Sequence, residues 1–253
     1  LGAVLTPPAI GLRDLTLGYD RHPAVHHLTG EIPPGALLAV CGPNGAGKST
    51  LIKALVGIVR PMGGAIDLGG ARGKRDTIAY LPQAAQIDLG FPIDVFDMAA
   101  MGLWRSIGLF RGLSAADRQK VRDALAAVGL TGFERRQIGA LSGGQAQRLL
   151  FARLMLQDAS VILLDEPFSA IDERTVDDLL ALIARWHGEG RTVVAVLHDF
   201  DMVRRRFPDT LLLAREKIFW GPTDAALSPE NLARARKMIE AFDEAAPACA
   251  RAG

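Results

Sequence analysis

Residues 42–50 read Gly-Pro-Asn-Gly-Ala-Gly-Lys-Ser-Thr, and this stretch decides how the rest of the chain is read. It satisfies G-x-x-x-x-G-K-[ST] with Gly42, Gly47, Lys48 and Ser49. The pattern has physical meaning only between a strand and a helix, and both flanks are present. An apolar run, ALLAVC at 36–41, precedes it, and a helical segment from near Lys48 to near Gly57 follows. In that setting Gly42, Pro43, Asn44, Gly45, Ala46 and Gly47 form a bend whose backbone N–H groups face a phosphate. The helix N-terminus adds partial positive charge, Lys48 reaches the β- and γ-phosphates, Ser49 can ligate Mg²⁺, and Thr50 closes the motif.

A Mg²⁺-bound triphosphate needs a second carboxylate on a neighbouring strand. VILLDEP at 161–167 supplies Asp165 at the C-terminal end of a buried-type run, the expected metal partner. Glu166 then stands where it can orient a water or take its proton. In LSGGQAQR at 141–148, Ser142 and Gln145 form the S-x-x-Q capping box of a helix carrying the pairs Leu150/Leu154 and Phe151/Met155. A capped helix start with Gly143 and Gly144 is also an anion site, so a structural and a phosphate-facing reading both stand.

Working outward, Ile10, Leu12, Leu15, Leu17 and Tyr19, then a Pro-containing turn and a stretch through Leu28 and Ile32, suggest an antiparallel ribbon. Short strand-like pieces follow at 65–68 and 78–81. Ser114, Asp117 and the spacing of Val121, Ala124, Leu125 and Val128 predict a helix that Gly129 stops. Strand Val161–Leu164, a helix over about 174–186 and strand Thr192–Leu197 complete a β/α alternation that implies a parallel sheet. The mostly helical stretch from about 88 to 157 interrupts that alternation, and residues 241–253, ending PACARAG, suggest a frayed tail.

The chain has 253 residues, 49% hydrophobic, 23% charged and 6% aromatic, a globular profile that excludes disordered and collagen-like classes. Its formal charge of +1 provides no field to draw it onto nucleic acid, so phosphate must be held locally. Two cysteines, Cys41 and Cys249, are too few for a disulfide framework, which suggests a reducing compartment. Apolar runs fall short of the roughly 18–20 residues of a membrane span. Leu1–Ile10 lacks the basic and apolar regions of a secretory signal, and a cytoplasmic location is expected. His22, His26 and His27 have no matching acid or Cys cluster in the sequence, and Arg204–Arg206 reads as a solvated helix face.

Gly42–Ser49, Gln83, LSGGQ at 141–145, LLDEP at 163–167, SAID at 169–172 and His198 occur in the order and spacing of the ATP-binding cassette of ABC transporters, and the chain resembles that family from about residue 10 to 220. The resemblance implies an α/β P-loop NTPase fold in a single domain over 1–240. Its RecA-like parallel core would take in about 36–87 and 158–225, with an N-terminal antiparallel β subdomain (about 10–35) and an inserted α-helical subdomain (about 88–157). It implies ATP and Mg²⁺ as ligands, Tyr19 as the aromatic stacking on adenine, Gln83 touching Mg²⁺ or water, His198 contacting the γ-phosphate, and Asp172, the last residue of SAID, among the residues that bind the cofactor. In the family, Ser142–Gln145 face phosphates bound by the other copy. That implies a head-to-tail dimer, integral membrane permease subunits, and indirectly a periplasmic or extracellular solute-binding protein, at the cytoplasmic face of a bacterial inner membrane.

FPIDVFDMAAMGLW at 91–104, DEPFSAIDERT at 165–175, HDF at 198–200 and SPENLARA at 228–235 are similar to the importers of zinc, manganese or iron. That likeness implies import of a divalent metal, zinc first and manganese second, with an iron chelate or other solute as the alternative. FPIDVFDM would lie near the surface that receives the membrane subunit. A repair-type ATPase of the same family would carry long coiled-coil insertions, whereas only residues 84–140 separate Gln83 from Leu141, with no sustained heptads. An unrelated P-loop kinase or GTPase would make LSGGQ a coincidence, and the guanine motif N/T-K-x-D is absent.

Overall fold

Alternating apolar residues build the first strand, but their parity slips: Ile10 and Leu12 are buried, then Leu15 and Leu17. The computed structural model, which describes residues 7–19, 22–69, 78–83, 90–108, 112–169 and 171–240, shows why. Strands β1 (Ile10–Tyr19) and β2 (His22–Ile32) pair antiparallel, with the register shifting between Leu12 and Leu15. Asp14 in this bulge has φ 48°. One extra residue turns the following side chains back onto the core face. Pro23, expected in a turn, lies inside β2 opposite Gly18.

The remaining elements are β3 (Leu37–Cys41), α1 (Lys48–Val56), β4 (Gly63–Asp67), β5 (Ile78–Leu81), α2 (Val95–Ala100), α3 (Trp104–Ile107), α4 (Ala115–Ala127), α5 (Gly143–Leu156), β6 (Val161–Asp165), α6 (Glu173–Gly188), β7 (Thr192–Val196), α7 (Phe200–Arg206), β8 (Asp209–Ala214), β9 (Glu216–Pro222), α8 (Thr223–Ala226) and α9 (Pro229–Glu240). They form a three-stranded sheet ordered β2-β1-β4 and a six-stranded sheet ordered β5-β6-β7-β3-β8-β9. β4 pairs antiparallel with β1, so residues 63–67 join the antiparallel layer, whereas the resemblance implies a core that takes in about 36–87. The large sheet is parallel from β5 to β8, and β9 closes its edge antiparallel to β8. The predicted tail at 241–253 lies outside the described residues.

β3, β6 and β7 are buried at every position, as strands covered on both faces must be. Leu38 and Val40 face one cluster, shared with β1, β2 and α1. Leu37, Ala39 and Cys41 face the other, shared with α2, α4, α5 and α6. There Trp186 of α6 stacks on Phe151 of α5, ring centroids 5.9 Å apart and planes within 1°, locking those helices together. Among the described residues no helix is long and apolar enough to cross a membrane.

Strand order places the site. β3 lies between β7 and β8, with β6 next to β7 and β5 next to β6. The C-terminal ends of β3, β5, β6 and β7 therefore carry the 42–50 loop, Gln83, Asp165–Glu166 and His198 to one sheet edge, where open α/β sheets receive ligands.

Candidate functional site

The 42–50 loop is held in a shape that a side chain would forbid. Gly47 has φ 89°, and a Cβ there would stand 2.5 Å from the Ala24 carbonyl oxygen and 2.4 Å from Val25 Cγ2. At Gly42, φ 148°, a Cβ would meet the Leu213 carbonyl oxygen at 1.9 Å. Gly47 also serves as the N-cap of α1, which has no side-chain cap and no acid in its first turn. By contrast α2, α4, α5, α6 and α7 are each capped by an Asp or Ser side chain. The open N–H groups and dipole of α1 are thus left to an anion from outside the helix. Lys48 is buried and donates from Nζ to the carbonyl oxygens of Gly42 and Pro43, 2.9 Å each. Burial pulls its pKa down, against the pull of Glu166, Cys41 and Asp165. Asn44 and Gly45 are exposed at the crest, Ala46 and Thr50 are buried beneath it, and Pro43 is half-buried.

Across the loop, Ser49 Oγ donates to Asp165 Oδ1 at 2.8 Å. Asp165 is fully buried, and its Oδ2 has no hydrogen-bond partner among the described residues. Burial raises its pKa, opposed by the Ser49 hydrogen bond and by Lys53 and Lys48, and reinforced by Glu166. An orphaned carboxylate oxygen beside a hydroxyl is a set of hard oxygen donors, and it fits Mg²⁺. Glu166 follows with φ 50°, a conformation that costs a non-glycine residue on the order of 1–3 kcal/mol and recurs where function fixes geometry. Its Oε1 lies 2.7 Å from His198 Nε2, and Gln83 also hydrogen-bonds it. Burial pushes the Glu166 carboxyl up, but the bonds from His198 and Gln83 and the charges on His198 and Lys48 outweigh it and hold the group below its ordinary value. Lys48, Ser49, Gln83, Asp165, Glu166 and His198 thus converge, although they span 151 positions from first to last. Tyr19 ends β1 with its side chain half exposed.

Ser142, Gly143, Gly144 and Gln145 join a second cluster. Ser142 Oγ accepts from the Gln145 N–H at 3.3 Å, and Gln145 Oε1 accepts from the Ser142 N–H at 3.0 Å. Gly144 packs against Asp172, and a Cβ there would stand 3.5 Å from its Oδ2. Asp172 caps α6 through the Thr175 N–H at 3.0 Å and accepts the Thr175 hydroxyl at 2.8 Å, bonds that lower its pKa. The sequence pattern left out the residue that binds this cluster. Arg148 reaches Thr175 Oγ1 (2.9 Å), Asp178 Oδ2 (3.1 Å) and the Val128 carbonyl (3.3 Å), joining α5, α6 and the end of α4. Its place inside LSGGQAQR was the available signal. The structure also brings an acid to one of the early histidines, with His27 Nδ1 2.7 Å from Asp14 Oδ1, both exposed.

Residues 25–169 match the ABC transporter family. The manganese transport system ATP-binding protein MntB of Listeria monocytogenes is 39% identical over 87% of this chain and 93% of that protein. The manganese transport system ATP-binding protein MntA of Synechocystis sp. is 38% identical over 92% and 91%. A solved structure described as an inward-facing metal-chelate type ABC transporter superposes with TM-score 0.79 at 33% identity, covering 90% of this chain and 89% of that one. An ATP-binding cassette in its ADP conformation, 18% identical, shares the fold with TM-score 0.76 over 90% and 98%. The chain therefore belongs to the ABC transporter family and is an ATP-binding ATPase component of it.

Proposed function

We propose that this chain is the motor of a divalent-metal importer, with manganese ahead of zinc. The observation that carries the motor assignment is the Glu166–His198 contact of 2.7 Å, with Gln83 on the same carboxylate and the Ser49–Asp165 pair alongside. Backbone N–H groups of Gly42–Thr50, including those of Asn44, Gly45, Ala46 and Gly47, and the Lys48 ammonium hold the β- and γ-phosphates of ATP, while Tyr19 stacks on the base. Ser49, Asp165 and Gln83 would hold Mg²⁺, which when bound neutralises charge shared by the β- and γ-oxygens. Glu166, ionised at neutral pH, orients a water at the γ-phosphorus and accepts its proton. The new P–O bond forms as the bond to the bridging oxygen breaks, giving ADP and phosphate. His198 positions Glu166 and meets the γ-phosphate.

Ser142, Gly143, Gly144, Gln145 and Asp172 lie together in a cluster of their own, which supports their facing ATP held by a second copy. Two copies would pair head to tail around two composite sites, closed by ATP and reopened by hydrolysis. Membrane permease subunits carry the solute path, a solute-binding protein delivers to them, and this subunit sits at the cytoplasmic face. Phe91 and Trp104, 60% and 53% exposed at the two ends of FPIDVFDMAAMGLW, support docking there, while Val95, Met98 and Ala99 between them are core. Manganese moves ahead of zinc because the relatives in Listeria monocytogenes and Synechocystis sp. are named for manganese. The likeness to a metal-chelate type transporter favours a metal chelate as the second reading.

Glu166→Gln tests the motor assignment. Its amide retains shape and ATP binding but cannot take a proton, so turnover should drop by a factor of about 10² or more, and ATP should trap a stable dimer on size-exclusion chromatography. Turnover within a few-fold of the native chain would remove Glu166 from the chemistry.

A further inference from the structure

The hairpin turn between β8 and β9 touches both ends of the nucleotide site. Ala214 pairs with Glu216, and Arg215 stands between them at the tip with φ 62°. The Arg215 N–H donates to the Ala46 carbonyl of the phosphate loop at 3.1 Å, and its carbonyl accepts from the His26 N–H of β2 at 2.7 Å. The guanidinium, through Nη2, donates to the Pro23 carbonyl. Pro23 pairs with Gly18 in the rung before Tyr19 and His22. The guanidinium bond therefore adds, at the strand end that carries Tyr19, a hold that the β1–β2 ladder does not itself supply. The Arg215 side chain ties that end down from outside the sheet.

We infer that Arg215 is a positioning residue for nucleotide binding: one residue anchored by its backbone to the phosphate loop and by its guanidinium to the Tyr19 end of the β1–β2 ribbon, setting the distance between phosphate cradle and base shelf. This rests on the reading of Tyr19 as the base-stacking aromatic. A ligand with both base and phosphates feels that distance, and one with phosphates alone does not.

Arg215→Gly separates the two roles of the residue. Glycine takes φ 62° without strain and keeps both main-chain bonds, so the loop brace survives while the guanidinium bond is lost. ATP should bind roughly tenfold more weakly, appearing in KM with kcat within about twofold, because a charge-assisted bond at the shelf is missing and the chemistry is not. Mg²⁺–tripolyphosphate, measured by displacement of a fluorescent nucleotide, should bind as to the native chain. Arg215→Lys should recover part of the ATP affinity, and it carries the test if Arg215→Gly melts early. Tyr19→Ala is run beside them and should weaken ATP while sparing tripolyphosphate. If it does and the Arg215 variants leave ATP unchanged, or weaken both ligands alike, Arg215 is not a spacer and the inference is overturned. If Tyr19→Ala also spares ATP, the base-shelf reading fails and takes the inference with it.

Discussion

At Asp165 the requirements of stability and function oppose each other within one side chain. It is fully buried with one oxygen unpartnered among the described residues, and burial holds its pKa above the free-chain value. A carboxyl whose folded pKa is raised subtracts stability as pH climbs from the unfolded to the folded pKa, and the cost is complete once pH exceeds the folded pKa. Asp165→Asn, which still accepts from Ser49, should therefore raise the melting temperature of the nucleotide-free protein at pH 7. The gain should fade as pH falls below that window, while Mg²⁺-dependent turnover is lost. A lower melting temperature for the variant at pH 7 would show that the buried charge is compensated. Glu166 has the opposite sign. Its pKa is depressed, so its contribution to stability is present above the unfolded pKa and vanishes as pH falls through the folded one. Both acids were legible in the motif, but their contrary titration was not, because it depends on what the fold packs around each.

Among elements, α5 shows how one geometry can serve two purposes. Its capping box satisfies its own first turn, and it also opens on Asp172 and the start of α6. Ser142→Arg removes a cap worth about 1 kcal/mol, a fall in melting temperature of roughly 2–4 °C for a chain of this size. Far-UV circular dichroism should be unchanged, yet ATP should no longer bring two copies together. Normal dimer closure in this variant would return Ser142 to the role of a helix cap alone. The helix starts at Ser114 and Ser142 and the stop at Gly129 were readable locally, because caps and periodicity are short-range signals. The partner of β4 was not readable, since five residues of extended chain do not encode which edge they will meet.

For the whole molecule, the metal reading concerns cells as much as the chain. Under metal limitation, cells lacking this chain should hold less of one metal, manganese before zinc, and the native sequence should restore it where Glu166→Gln does not. No change in manganese, zinc or iron content would move the search to another solute. The sequence by itself determined the 42–50 loop, the adjacent acids Asp165 and Glu166 at the end of β6, the capped helix starts and the family, because each is written in contiguous residues whose spacing has a local physical meaning. Only the tertiary structure decided that Lys48, Gln83, Asp165, Glu166 and His198 meet, that Arg148 binds α4, α5 and α6, and that Arg215 spans loop and ribbon. Those contacts follow from strand order, and strand order is set by which buried faces pack together across the whole chain.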